Sequence, residues 1–264
     1  MLKTILLLTA SALTIAAGVL AVSWSVKKRF QIRTDLFGFG ALCFVAAQAV
    51  HIPVLIGLTA IFKHWPISDA SLKLAVNVLI LGGTAGLFEE LSRYLFLRSP
   101  KLGATRWADA LGFGLGHGGV EALLLTLGMP IQAGYLLWKG DELIAQVKAK
   151  SPESADAVVK QVESLRHMDL NLALLPIWER ALAILLHVAL TLVVWKAVRT
   201  GRRGWLALAI LWHAAIDGAV VWAAQKGLGP VQIELAFTAA STLSAAVVWR
   251  SWRANRESAR PALA

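Results

Sequence analysis

Apolar residues along this 264-residue chain fall in blocks of about twenty, separated by short segments that hold most of the charge. A block of that length covers roughly 30 Å of hydrocarbon when it is helical. The pattern predicts seven transmembrane helices, at about 4–24, 36–62, 72–97, 107–128, 171–197, 205–224 and 231–250. Between the fourth and fifth lies a polar stretch of about 40 residues, rich in Lys, Glu, Asp, Ser and Gln. Within it, Asp141 to Arg166 keeps helical spacing, with Leu143, Val147, Ala155, Val158, Val159 and Val162 on the less polar side. That predicts an amphipathic helix, or a pair, lying on the membrane surface or capping it. The expected fold is therefore all-α, a polytopic membrane helix bundle forming a single transmembrane domain over 1–264. It begins with an anchor helix at 1–28, continues through spans two to four at 36–128 and an extracytoplasmic amphipathic loop at 130–170, and ends with spans five to seven at 171–250.

Composition agrees: 57% of the residues are hydrophobic and 16% charged, too few polar groups to clothe a soluble domain of this size. The net charge of +10 suggests nucleic acid until its distribution is considered. One set of loops carries fifteen basic residues: Lys27, Lys28, Arg29, Arg33; Arg98, Lys101, Arg106; Lys196, Arg199, Arg202, Arg203; Arg250, Arg253, Arg256, Arg260. The alternate set carries four, Lys3, Lys63, Lys73 and Lys226. This asymmetry places the N-terminus outside and the C-terminus in the cytoplasm, and an odd number of spans agrees. The partner is the lipid bilayer, not nucleic acid. The localisation is the cell membrane, multi-pass, and the cytoplasmic membrane if the source is bacterial. The first span resembles a secretory signal, but its basic cluster follows the apolar run, so it reads as a retained anchor. Trp24, Trp65, Trp107, Trp138, Trp205 and Trp249 lie near span ends and read as interfacial anchors. The single cysteine, Cys43, sits in an apolar block and reads as a small core residue, leaving no disulfide framework.

Several polar residues interrupt the apolar blocks. They are Glu89, Glu90 and Arg93 in span three, His117 and Glu121 in span four, Glu179, Arg180 and His187 in span five, and His213 and Asp217 in span six. An ionisable group in hydrocarbon costs several kcal/mol unless paired or hydrated, so each is a functional candidate. Glu89 lies nine residues before Arg98 and His117 eleven after Arg106, while His187 is nine before Lys196 and His213 ten after Arg203. At about 1.5 Å per residue, all four sit roughly 13–17 Å below the cytoplasmic edge. Scattered structural pairs have no reason to coincide in depth. A single site does.

Spacing within the helices adds detail. Residues four apart share a helical face, so Glu121 stacks over His117 and Asp217 over His213. Glu90 and Arg93 are three apart and pair, which frees Glu89, about 100° round the helix, for chemistry. Glycines in LGGTAG and GFGLGHGG permit close helix packing or a water-filled gap. Three imidazoles, His117, His187 and His213, with Glu121 can hold a divalent metal such as zinc. Asp217 and Glu179 stand behind them as supports. The same groups also work without a cofactor, by a glutamic route. Glu89 then takes a proton from water held by His117, and His213 with Asp217 steadies the oxyanion. Both routes hydrolyse an amide, and the sequence leaves both open.

These segments resemble the CAAX prenyl endopeptidases and bacteriocin-processing intramembrane proteases, whose pattern is Glu-Glu-x-x-x-Arg, Phe-x-x-x-His and His-x-x-x-Asn or -Asp. Here FEELSR (Phe88–Arg93), FGLGH (Phe113–His117) and HAAID (His213–Asp217) follow in that order. More closely, the chain is similar to the YhfC-type membrane peptidases, over roughly 36–250, with EELSR, GHGGVE, ER…H and WHAAID in successive spans. The resemblance implies an intramembrane protease in which Glu89 activates water, Glu90 pairs with Arg93, and His117, His213 and His187 complete the catalytic set. Two departures stand out. Arg93 follows Glu90 by one residue fewer than in the prenyl endopeptidases, and Asp217 stands where those usually have Asn. The expected substrate is a membrane-embedded peptide or protein; oligomeric state is not encoded.

A proton- or ion-coupled transporter also places His and carboxylates at mid-membrane, but would favour inverted repeats, which are not evident. A non-catalytic membrane partner has little reason to keep three aligned imidazoles. His51, beside Pro53, has no partner in register and reads as structural, and His64 and His167 read as solvated loop residues.

Overall fold

A computed structural model describes residues 1–150 and 152–258. Arg260, counted above among the basic residues, lies outside them. The elements are α1 (Leu2–Phe30), α2 (Thr34–His64), α3 (Ala70–Val78), a π turn (Leu79–Gly83), α4 (Thr84–Arg98), α5 (Trp107–Lys150), α6 (Pro152–Arg166), α7 (Leu170–Thr200), α8 (Gly204–Gln225) and α9 (Pro230–Ser258). No strand occurs among the described residues. Among them, seven helical segments are long and apolar enough to cross a membrane, with α3 to α4 counting as one. Helices are what the bilayer permits, since each backbone N–H and C=O finds its partner within its own segment.

Ends are set by local chemistry. Asp69 caps α3 by accepting the backbone N–H of Leu72 at 2.6 Å. After α8, Gly227 adopts φ +81°, and the amides of Gly227 and Leu228 close back on the carbonyls of Ala224 and Ala223. Helix α5 departs most from expectation. Its span was expected to end at 128, yet the helix runs on to Lys150 with Pro130 inside it. A change from apolar to polar residues marks where a helix can leave lipid, not where it stops. The polar stretch is thus the second half of α5 followed by α6.

The chain divides into two compact units. The first comprises Met1–Leu20 and Ala122–Ala181. Here the Thr4 hydroxyl donates to the Leu165 carbonyl at 2.9 Å, and that of Ser11 to the Ala173 carbonyl at 2.6 Å. Gly140 of α5 meets Val162 of α6 so closely that an added Cβ would lie 2.9 Å from a Val162 methyl. Arg166 bridges Asp141 at 2.9 Å and Glu163 at 2.8 Å, closing the α5–α6 hairpin.

The second unit comprises Ala21–Glu121 and Leu182–Ala264 and contains the main apolar core, with Leu36, Phe113, Leu190 and Val194 fully buried. Cys43 is buried in that core as expected. Trp107 is a correction: it is buried rather than interfacial, and its indole N–H donates to Ser251 at 3.1 Å. Backbone contacts set the helix spacing. A Cβ on Gly40 would lie 2.0 Å from the Phe113 carbonyl oxygen, and one on Gly116 2.0 Å from that of Phe37, so α2 and α5 touch main chain to main chain. Gly82 and Gly86 bring the π turn and α4 against α8, where an added Cβ would lie 2.4 Å from the Gly218 nitrogen and 2.8 Å from the Ala214 nitrogen. Of the two roles open to these glycines, close packing is the one realised.

Candidate metal centre

Within the second unit, α4 supplies Glu89, α5 supplies His117 and Glu121, and α7 supplies His187. One ligand-type atom from each lies within 4.8 Å of all the others. Glu89, His117 and His187 are buried, and Glu121 is partly so. Glu89 Oε2 stands 3.1 Å from His117 Nε2 and 4.0 Å from His187 Nδ1, while Glu121 Oε2 meets His187 Nε2 directly. The two imidazole rings are 5.1 Å apart, centre to centre. His117 Nδ1 is buried with no hydrogen-bond partner among the described residues.

A second set adjoins it. Arg93 pairs with Glu90 Oε1, both side chains fully buried. His213 Nδ1 lies 2.7 Å from the same oxygen, and its Nε2 lies 3.5 Å from Asp217. Arg93 Nη2 donates to His187 Nδ1 at 3.1 Å. A guanidinium can only donate, so His187 accepts at Nδ1 and carries its proton on Nε2, toward Glu121. The Arg93–His187 contact joins the two sets.

The sequence placed Glu89, His117, His187 and His213 at one depth, and the structure brings all four together. The His187 and His213 rings are 5.3 Å apart. His213 nevertheless stands outside the group of four, because α8 approaches from the Glu90 side and turns both ring nitrogens to Glu90 and Asp217. Glu121, expected over His117, reaches across to His187 instead; helix periodicity gives the face but not the neighbour. Arg93 meets Glu90 despite its shortened spacing, since three residues still make a helical neighbour. Glu179 pairs with Arg180 and belongs to the first unit. His167 is exposed and 3.3 Å from Glu163, and His64 ends α2 exposed.

His51 is a correction, for it is buried and has two partners. Its Nε2 lies 2.8 Å from Thr84 Oγ1 and its Nδ1 3.3 Å from Gln48 Oε1. Gln48, passed over in the sequence because it is uncharged, donates from Nε2 to Glu89 Oε1 at 2.9 Å. The available signal was its three-residue spacing from His51 in an otherwise apolar block.

Two imidazoles and two carboxylates from three helices form a donor set suited to a borderline divalent ion such as zinc. The profile of a family described as YhfC intramembrane metalloprotease matches residues 12–236, which include every residue of both sets. The chain belongs to the YhfC intramembrane metalloprotease family. It is also 33% identical over 133 residues to the "Uncharacterized membrane protein YhfC" of Bacillus subtilis (strain 168), an alignment covering 50% of this chain and 52% of that one. The chain thus matches about half the length of this curated relative. No solved structure matches. Membership of the YhfC family and seven apolar helices make the chain a multi-pass membrane protein.

Proposed function

We propose that the protein is an endopeptidase that cleaves a peptide bond inside the bilayer, with His117, His187 and Glu121 holding a divalent metal and Glu89 acting as general base. The observation behind this reading is a cluster of donors, with one ligand-type atom from each of Glu89, His117, Glu121 and His187 within 4.8 Å of all the others. Two imidazoles and two carboxylates so placed match the donors of a catalytic divalent-metal site.

Using all four donors would close a tetrahedral site, whereas catalysis needs an open position. Glu89 is the donor best suited to stand aside. Gln48 anchors its Oε1, and Oε2 faces the cluster. A metal held by the other three would polarise the scissile carbonyl and acidify a water. Glu89 Oε2 takes the proton from the attacking water and delivers it to the leaving nitrogen. With metal at His187 Nε2, the ring proton would move to Nδ1 and release Arg93 Nη2, while Arg93 keeps its pair with Glu90, which His213 and Asp217 hold in place. The positive-inside asymmetry sets this chemistry nearer the cytoplasmic face, and the substrate is a membrane-embedded peptide or protein.

The test is metal analysis of the full-length protein in detergent, alongside cleavage of a membrane-embedded reporter peptide. One equivalent of metal is expected, lost in His117→Ala and His187→Ala and kept in inactive Glu89→Gln. An active preparation without metal overturns the proposal.

A further inference from the structure

We infer that Gln48, His51 and Thr84 form a chain of positioning residues that aims the Glu89 carboxylate. The inference rests on the proposed function only for what Glu89 does, since the chain itself is a matter of hydrogen-bond geometry. It starts in the π turn. The Thr84 hydroxyl spends its one proton on the Ile80 carbonyl, which can only accept. Thr84 Oγ1 therefore accepts from His51, and the ring carries a proton on Nε2, 2.8 Å away. The ring is also stacked on Phe88, with centroids 5.5 Å apart and planes 29° from parallel, so it is fixed from its face and its edge.

The other edge of the ring meets Gln48 Oε1 at 3.3 Å, and because an amide oxygen only accepts, both ring nitrogens donate and the chain closes with His51 as the imidazolium. An amide presents oxygen on one side and NH2 on the other, so its orientation is shared by the groups it touches. An ionised carboxylate accepts only, which sets the NH2 of Gln48 toward Glu89 and its oxygen toward His51. Turning the amide over would set oxygen against oxygen at Glu89. With Oε1 occupied by Gln48, Glu89 is left with one oxygen, Oε2, for His117 and the cluster.

Mutual satisfaction of two polar residues in an apolar helix would account for Gln48 and His51 alone. It does not account for the amide's second hydrogen bond, which ends on a buried carboxylate two helices later in the chain. Outer-sphere partners of metal sites have this arrangement, and their loss typically lowers activity or metal affinity by about 10–100-fold.

Infrared difference spectroscopy on the full-length protein, without added metal, tests the chain. The Glu89 carboxyl band is the one lost in Glu89→Gln. Gln48→Met, of similar length but without an amide, should shift that band, and His51→Leu should shift it less. In the double variant His51→Leu should add nothing, because His51 acts through Gln48. Gln48→Asn, which keeps the amide on a shorter arm, guards against a folding artefact of Gln48→Met and should also shift the band. An unmoved band in both Gln48 variants, or additive shifts in the double variant, overturns the inference. In parallel, Gln48→Met should lower reporter-peptide turnover about 10–100-fold with little change in KM and unchanged zinc content. Band shifts in a protein that neither binds zinc nor cleaves would leave the chain standing and remove the peptidase reading. Zinc-dependent cleavage with an unmoved band does the reverse.

Discussion

Glu89 and Glu90 are consecutive residues on one helix, yet they enter two environments of opposite character. Glu90 joins Arg93, His213 and Asp217, where each charge meets a partner and the guanidinium sits at the centre. Glu89 joins His117, Glu121 and His187, where two carboxylates face two imidazoles. One set is electrically complete within the protein. The other gathers four donors that could hold a metal ion. About 100° of helical rotation between neighbours is enough to send one carboxylate to an ion pair and the next to the proposed reaction centre.

The contrast is tested most strongly at Glu89 itself. Glu89→Gln should lower cleavage by roughly 10²–10⁴-fold, the usual range for a general base, and leave metal content and thermal stability nearly unchanged. His117→Ala and His187→Ala come next. Each should weaken zinc binding, read by isothermal titration, by more than the roughly 10–100-fold typical of outer-sphere partners. Arg93→Ala should act through stability instead. Stranding the buried Glu90 charge costs about 3–5 kcal/mol, measurable by denaturant unfolding, while the double variant Glu90→Leu with Arg93→Met should recover most of that loss. If Glu90→Leu/Arg93→Met unfolds as readily as Arg93→Ala, the second set is not a self-contained pair. The smallest effect belongs to Asp217→Asn. Its side chain is 37% exposed and 3.5 Å from His213, so turnover should stay within about tenfold of wild type.

What the sequence made legible follows from which physics is local. Span count and the shared depth of Glu89, His117, His187 and His213 depend on apolar length and rise per residue, both properties of single helices. The Glu90–Arg93 pairing is likewise a helical neighbour relation. The choice of Glu121 by His187, and of Glu90 by His213, depends on how α5, α7 and α8 are rotated against one another, which no single-helix periodicity contains. Gln48 escaped notice because an uncharged amide in an apolar block gives little signal until its partner is known. The end of the fourth helix was not legible because lipid exit and helix termination are different events, and α5 runs on to Lys150.

The main-chain contact between α2 and α5 also bears on how such a protein can change over generations. At Gly40 and Gly116 any side chain beyond hydrogen has to displace a helix, and those helices bear Gln48 on one side and His117 on the other. Neither glycine can drift without disturbing the amide and the imidazole those helices carry, so mutation there is visible to selection even though both residues are chemically mute. Descendants that abandon one glycine are expected to have abandoned the reaction with it.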